Sequence, residues 1–152
     1  MSKQMDSKSA QTIYGQLCKA MENRNWHYDK FDDKYAIRFE VMGEDIPMYF
    51  TFAVDVERQL VRLKSMLTFK FAEDRRMEGA IATNRINYAL ADGYFEYDIT
   101  DGEVSFKLST SCRDSLISDA TIEYMVQCGL FVVEEFNDKL LAVSKGYMTI
   151  KG

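Results

Sequence analysis

One proline, one histidine and three cysteines stand in a chain of 152 residues, and each scarcity excludes a class of protein. With one Pro and eight Gly there is no material for a Pro- or Gly-rich linker or a fibrous repeat. The single imidazole, His27, excludes multi-histidine metal sites. The cysteines Cys18, Cys112 and Cys128 are odd in number, and their spacings of 94 and 16 match no redox pair or zinc knuckle. Two of them fall on apolar helix faces, where they read as small buried hydrophobes. Long apolar runs are also missing. The longest, Cys128–Val133 with its glycine counted, is far short of the ~20 residues that span a bilayer. Met1 to Ser9 has no apolar stretch of the roughly 7–15 residues that a secretory signal needs. The expectation is a cytoplasmic chain with no membrane insertion.

What is present is ordinary for a globule: 47% apolar and 28% charged residues, with 13% aromatic. The length predicts one domain over 1–152, with an ordered core at about 9–144. A formal charge of −5 argues against nucleic acid as the partner.

The apolar periodicity changes four times. From Ser9 to Arg24, Ile13, Leu17, Cys18 and Met21 recur at helical spacing, with Ser9 as the expected N-cap. Three segments of period two follow. Tyr35, Ile37, Phe39 and Val41 alternate, then Ile46 to Val54 after Gly43-Glu44-Asp45, then Val61 to Phe71 after the polar turn at 55–59. Short polar connections make these an antiparallel meander. Between Asp74 and Ala91, Met77, Ile81, Asn84 and Tyr88 share one helical face, with Ala80 and Ala82 filling in, and Asp92-Gly93 ends the helix. Phe95, Tyr97 and Ile99, then Val104, Phe106 and Leu108, form a hairpin around Asp101-Gly102. A final helix from about Ser118 to Ser144 carries the stripe Ile122, Met125, Gly129, Val132, Phe136, Leu140 and Val143. The predicted class is α+β, an antiparallel sheet in the order α-βββ-α-ββ-α.

One face of the five expected strands is strongly apolar and should receive the first and last helices. The other carries Arg38, Glu40, Arg62, Lys64 and Lys107 but also Met42, Tyr49, Met66 and Tyr94. So many large apolar groups pointing outward predict that part of this face is covered, by the middle helix or by a second subunit.

The stretch Ala82-Thr83-Asn84-Arg85-Ile86-Asn87-Tyr88, then Asp92-Gly93-Tyr94-Phe95-Glu96 and the turn Asp101-Gly102-Glu103, resembles the YbjN family. Its members are described as bacterial sensory transduction regulators with a type III secretion chaperone-like fold. The resemblance covers nearly the whole chain, from about Ser9 to Ser144. It implies a homodimer in which the middle helix takes part in the subunit contact. It supplies an architecture and no agreed chemical activity.

Candidate sites are few. Asn84, Asn87 and Tyr88 are neighbours on the middle helix. Two readings stand for them: hydrogen bonding to a partner or a small ligand, or pinning the helix to the following turn and pairing across a dimer. His27 sits between Trp26 and Tyr28 with Asp29, Asp32 and Asp33 close behind and no nucleophile motif, which reads as an exposed loop histidine. The acids around the second hairpin do not make a calcium loop. With Gly102 at the sixth position, Tyr97, Ile99 and Leu108 occupy the first, third and twelfth. No phosphate loop, dinucleotide fingerprint or zincin motif occurs, so no catalytic, cofactor or metal residue is expected.

Residues 1–76 hold 13 basic and 12 acidic side chains, residues 77–152 hold 6 and 12. Arg62, Lys64, Lys70, Arg75 and Arg76 concentrate on the third strand and the turn after it, placed to steer an acidic partner. The functional expectation is a non-enzymatic regulatory or chaperone-like protein that docks a segment of an unidentified protein partner on Tyr49, Arg62, Lys64 and Met66. The alternative is a small-molecule sensor with a pocket beside Asn84, Asn87 and Tyr88.

Overall fold

Alternation and helical periodicity become three helices on a six-stranded sheet. The structure, a computed structural model, describes residues 4–151. The polar stretch at Met1–Ser9 therefore falls partly outside the described residues, as do Gly152 and both ends of the 1–152 span. The elements are α1 (Ser7–Asn23), β1 (Asp29–Phe31), β2 (Ala36–Met42), β3 (Pro47–Asp55), β4 (Leu60–Lys70), α2 (Arg76–Ala89), β5 (Tyr94–Asp98), β6 (Glu103–Ser111) and α3 (Asp119–Ser144). The strands lie side by side as β1-β2-β3-β4-β6-β5, every neighbouring pair antiparallel. The fold is the α+β, type III secretion chaperone-like one, with one strand more than the five expected. β1 is that strand. Its three residues are all exposed and give no apolar alternation, so the sequence reads as a connection there.

The sheet's inner face is built by alternate residues of the long strands. Phe50, Phe52, Leu63 and Phe106 are fully buried, together with Phe71 and Phe95. Burying each such side chain contributes roughly 1.5–3 kcal/mol. Phe39 and Phe50 face each other across β2 and β3 and stack with ring centroids 5.2 Å apart. α1 lies over β2 and β3, and α3 over β4 and β6, so the first and last helices cover the apolar side.

The helix ends depart slightly from the sequence reading. α1 begins two residues early because Asp6, not Ser9, is its cap, accepting the Ser9 N–H at 2.9 Å. Ser118 caps α3 as expected, accepting the Thr121 N–H at 3.1 Å. The Asp101-Gly102 turn holds Gly102 at φ +80°, where an added Cβ would stand 2.1 Å from the Phe71 carbonyl oxygen. The Gly102 carbonyl accepts the Phe71 N–H at 2.9 Å, so this turn ties the end of β4 to β6 beyond the register shift between Met66 and Lys70.

The middle helix differs most. Gly79, Ala82, Thr83 and Ile86 form the buried side of α2, while Met77, Ile81, Asn84 and Tyr88 face solvent. α2 packs against β5 and α3, on the same side of the sheet as the other helices. It therefore leaves the sheet's outer face open, and the expectation that it covers part of that face does not hold.

Candidate surface for a partner segment

The outer face is a set of cross-strand rows. Tyr49 of β3 stands opposite Met66 of β4, Thr51 opposite Lys64, and Ala53 opposite Arg62. The rows extend outward through Glu40 and Arg38 on β2, and through Ser105, Lys107 and Ser109 on β6. Tyr49 and Met66 are each 42% exposed, and Tyr94, opposite Lys107, is 48% exposed. Arg38, Tyr49, Thr51, Lys64 and Met66 line a shallow concavity of about 330 Å³. Three of the four residues expected to meet a partner thus share one hollow. Arg62 stands to the side of it, with its Nε 3.4 Å from Ser109 Oγ.

Charge sharpens the patch. Of the five clustered cations, Lys70 pairs with Glu103 at 3.1 Å, Arg75 reaches Glu78 and the Val143 carbonyl, and Arg76 donates to the Thr100 carbonyl at 2.7 Å. Those three serve the fold. Arg62 and Lys64 form no ion pair among the described residues and remain to attract an anionic partner. Lys107 is held by Glu96. Two residues escape the sequence reading. Arg38 lies over the Phe31 ring, 5.4 Å from its centroid, so the missed strand β1 brings an aromatic to the same surface. Its only signal in the sequence is a lone Phe among Asp and Lys.

Asn84, Asn87 and Tyr88 have separate environments. Asn87 clamps the edge strand: its Oδ1 accepts the Phe95 N–H at 2.7 Å and its Nδ2 donates to the Phe95 carbonyl at 2.8 Å. That reproduces a β-ladder pair with a side chain and closes the outer edge of β5 at Phe95. Asn84 is exposed and Tyr88 is 94% exposed, both on the free side of α2. None of the five principal cavities is lined by any of the three.

The groups that could do covalent chemistry are poorly placed for it. Burial pushes the thiols of Cys18, Cys112 and Cys128 above their ordinary value, which disfavours the nucleophilic thiolate. His27 is exposed. Among the described residues no group of three or more His, Cys, Asp and Glu side chains is arranged to hold a metal ion. No helix among them is long and apolar enough to cross a membrane.

A half-bare antiparallel sheet with three helices on its other side, and a polar-rimmed apolar hollow on the open face, defines an α+β protein of the chaperone-like regulator class. The profile of the YbjN family, "Putative bacterial sensory transduction regulator", matches residues 14–142, and the chain belongs to that family. Among solved structures, a chain of "Crystal Structure of the ExsC-ExsE Complex" is similar at a TM-score of 0.62 and 14% identity, with 90% of this chain and 97% of that one covered. "Crystal structure of YbjN, a putative transcription regulator from E. coli" is similar at a TM-score of 0.58 and 9% identity, with 83% and 92% covered. At these identities the likeness concerns the fold. No curated protein sequence matches the chain. The family and its structural neighbours are of regulatory or chaperone-like, protein-binding type.

Proposed function

We propose that this protein is a cytoplasmic, homodimeric regulator that acts by binding a segment of another protein on its outer sheet face, without turning over a substrate. The observation that carries this reading is the open row pattern of the sheet. Tyr49 and Met66 form an exposed apolar pair directly across two strands, and Lys64, Arg62 and Arg38 flank it with positive charge. An apolar strip with cationic borders fits an extended segment that alternates apolar and acidic side chains. Similarity to a chain crystallised within the ExsC–ExsE complex supports a protein as the ligand.

The subunit contact is assigned to the free side of α2. Met77, Ile81 and Tyr88, with Asn84 between them, present a stripe at helical spacing that this chain leaves uncovered. Replacing Ile81 and Tyr88 by Glu should convert a two-chain species to a one-chain species in light scattering while leaving the helical circular dichroism unchanged.

A photo-crosslinking amino acid at Tyr49 or Met66 tests the binding surface in cells. The expected result is a discrete protein adduct whose yield drops about tenfold when Arg62 and Lys64 are changed to Glu. The same probe at exposed Thr12 of α1 should give none. Equal adducts at all three positions, or none at Tyr49 and Met66, would refute the assignment.

A further inference from the structure

We propose that a second surface, the groove between α3 and the β2–β3 hairpin, binds a basic amphipathic segment of a partner protein. It lies on the helical side of the sheet and does not depend on the outer-face reading. Its origin is visible in the apolar run 128–133. Gly129, Val132 and Val133 turn inward, so an apolar run that goes all round the helix must leave Leu130 and Phe131 on another side. Phe131 is 74% exposed. Together with Val41 and Met48, a facing pair of β2 and β3, these two side chains line an apolar cavity of about 430 Å³.

The rim is acidic. Glu134 and Glu135 border the groove one turn beyond Leu130 and Phe131. Glu134 Oε1 accepts the Glu44 N–H at 2.9 Å, which brings the hairpin tip, Glu44 and Asp45, against α3. Asp138 follows on the next turn. Its carboxyl is pushed up by burial and by the charges of Asp45, Glu134 and Glu44. Glu135 is satisfied by Lys139 at 2.5 Å. Glu44, Asp45, Glu134 and Asp138 form no ion pair with any Lys or Arg among the described residues. Uncompensated carboxylates beside an apolar slot fit one kind of occupant: a segment whose large apolar side chain enters the slot while Lys or Arg on its flanks reach the rim. An acidic segment, the kind the outer face suits, is repelled here.

The test uses the full chain and two fluorescein-labelled twelve-residue peptides. One carries Leu and Phe on one helical face and Lys elsewhere, and the other has every Lys replaced by Glu. Anisotropy at low ionic strength should give binding of the Lys peptide at least tenfold tighter than the Glu peptide, weakening steeply with added salt. Phe131→Ala, at an exposed position that leaves the core intact, should weaken the Lys peptide about tenfold. E134K together with E135K should reverse the preference. The Arg62 and Lys64 to Glu changes should leave it in place, so failure of this groove and failure of the outer face are separate results. Equal affinity for the two peptides, no binding of the Lys peptide, or an effect of Phe131→Ala below twofold would overturn the proposal. So would a Phe131→Ala protein that loses half its mass in solution, which would make the groove a contact between copies.

Discussion

Asn87 illustrates how a side chain read as a binding group is consumed by the fold. An antiparallel edge strand exposes an N–H and a C=O at every second residue, and in β5 one such pair belongs to Phe95. Asn87 occupies both with bonds of 2.7 and 2.8 Å. Asn87→Ala should therefore destabilise the protein by about 2 kcal/mol in urea unfolding, since it strips two partly buried backbone groups of their partner. Asn87→Asp should cost at least as much, because a carboxylate would face the Phe95 carbonyl. Asn84→Ala and Tyr88→Ala should each stay within about 0.5 kcal/mol in the same measurement. Equal costs at Asn84 and Asn87 would contradict the geometry. Gly102 makes a parallel case. Gly102→Ala puts a Cβ against the Phe71 carbonyl and strains φ, so a loss above about 2 kcal/mol is expected.

At α2 the limits of periodicity become physical. A 3.6-residue repeat determines which residues share a side of a helix, and Met77, Ile81, Asn84 and Tyr88 do share one. It does not determine which side is buried. The large side chains invite the wrong choice, because the tight approach of α2 to β5 demands small ones. A Cβ on Gly79 would lie 2.6 Å from Tyr97 Oη and 2.9 Å from Phe71 Cδ2. Tyr97 Oη is itself committed, donating to the Arg76 carbonyl at 2.7 Å. The long strands and α3 were legible because their inward residues are large as well as periodic, as Phe50, Leu63 and Phe106 are. The outer patch was legible for the same reason, since strict alternation sends Tyr49, Lys64 and Met66 to one side. Phe31 and Arg38 were not, because a three-residue exposed strand has no pattern to read. The α2 assignment has a counterintuitive consequence. Ala is a better helix former than Gly by roughly 1 kcal/mol. Gly79→Ala should nevertheless destabilise the protein by about 1–3 kcal/mol through overpacking against Tyr97 and Phe71. Ile81→Ala, on the exposed side, should change stability by less than about 0.5 kcal/mol. Chemical denaturation of the two variants checks both, and a stabilised Gly79→Ala protein would reverse the assignment of the buried side.

Across the whole molecule the charge asymmetry of the sequence becomes an asymmetry of surfaces. Unpaired cations from the first half lie on the open sheet face, and carboxylates of α3 crowd the β2–β3 hairpin tip on the other side. Crowding of this kind must show in the pH dependence of stability. Burial, with Asp45, Glu134 and Glu44 nearby, raises the Asp138 carboxyl above its unfolded value. The folded state then binds the proton more tightly than the unfolded chain, so this contribution is fully present below the ordinary aspartate value and is lost as pH rises through the raised one. Asp55 runs the other way. The Arg58 N–H, 2.9 Å away, lowers its carboxyl, so its stabilisation is present above the ordinary value and is lost as pH falls through the lowered one. Asp138→Asn should accordingly raise the thermal midpoint at pH 7 and lose that advantage by pH 3. Asp55→Asn should lower the midpoint at pH 7 and converge on the parent protein in acid. Thermal unfolding of the three proteins from pH 3 to pH 7 decides the matter. Parallel curves for Asp138→Asn and the parent would mean that the four carboxylates are too far apart, or too well solvated, to repel one another, and the acidic rim of the α3 groove would lose its claim to attract a cationic partner.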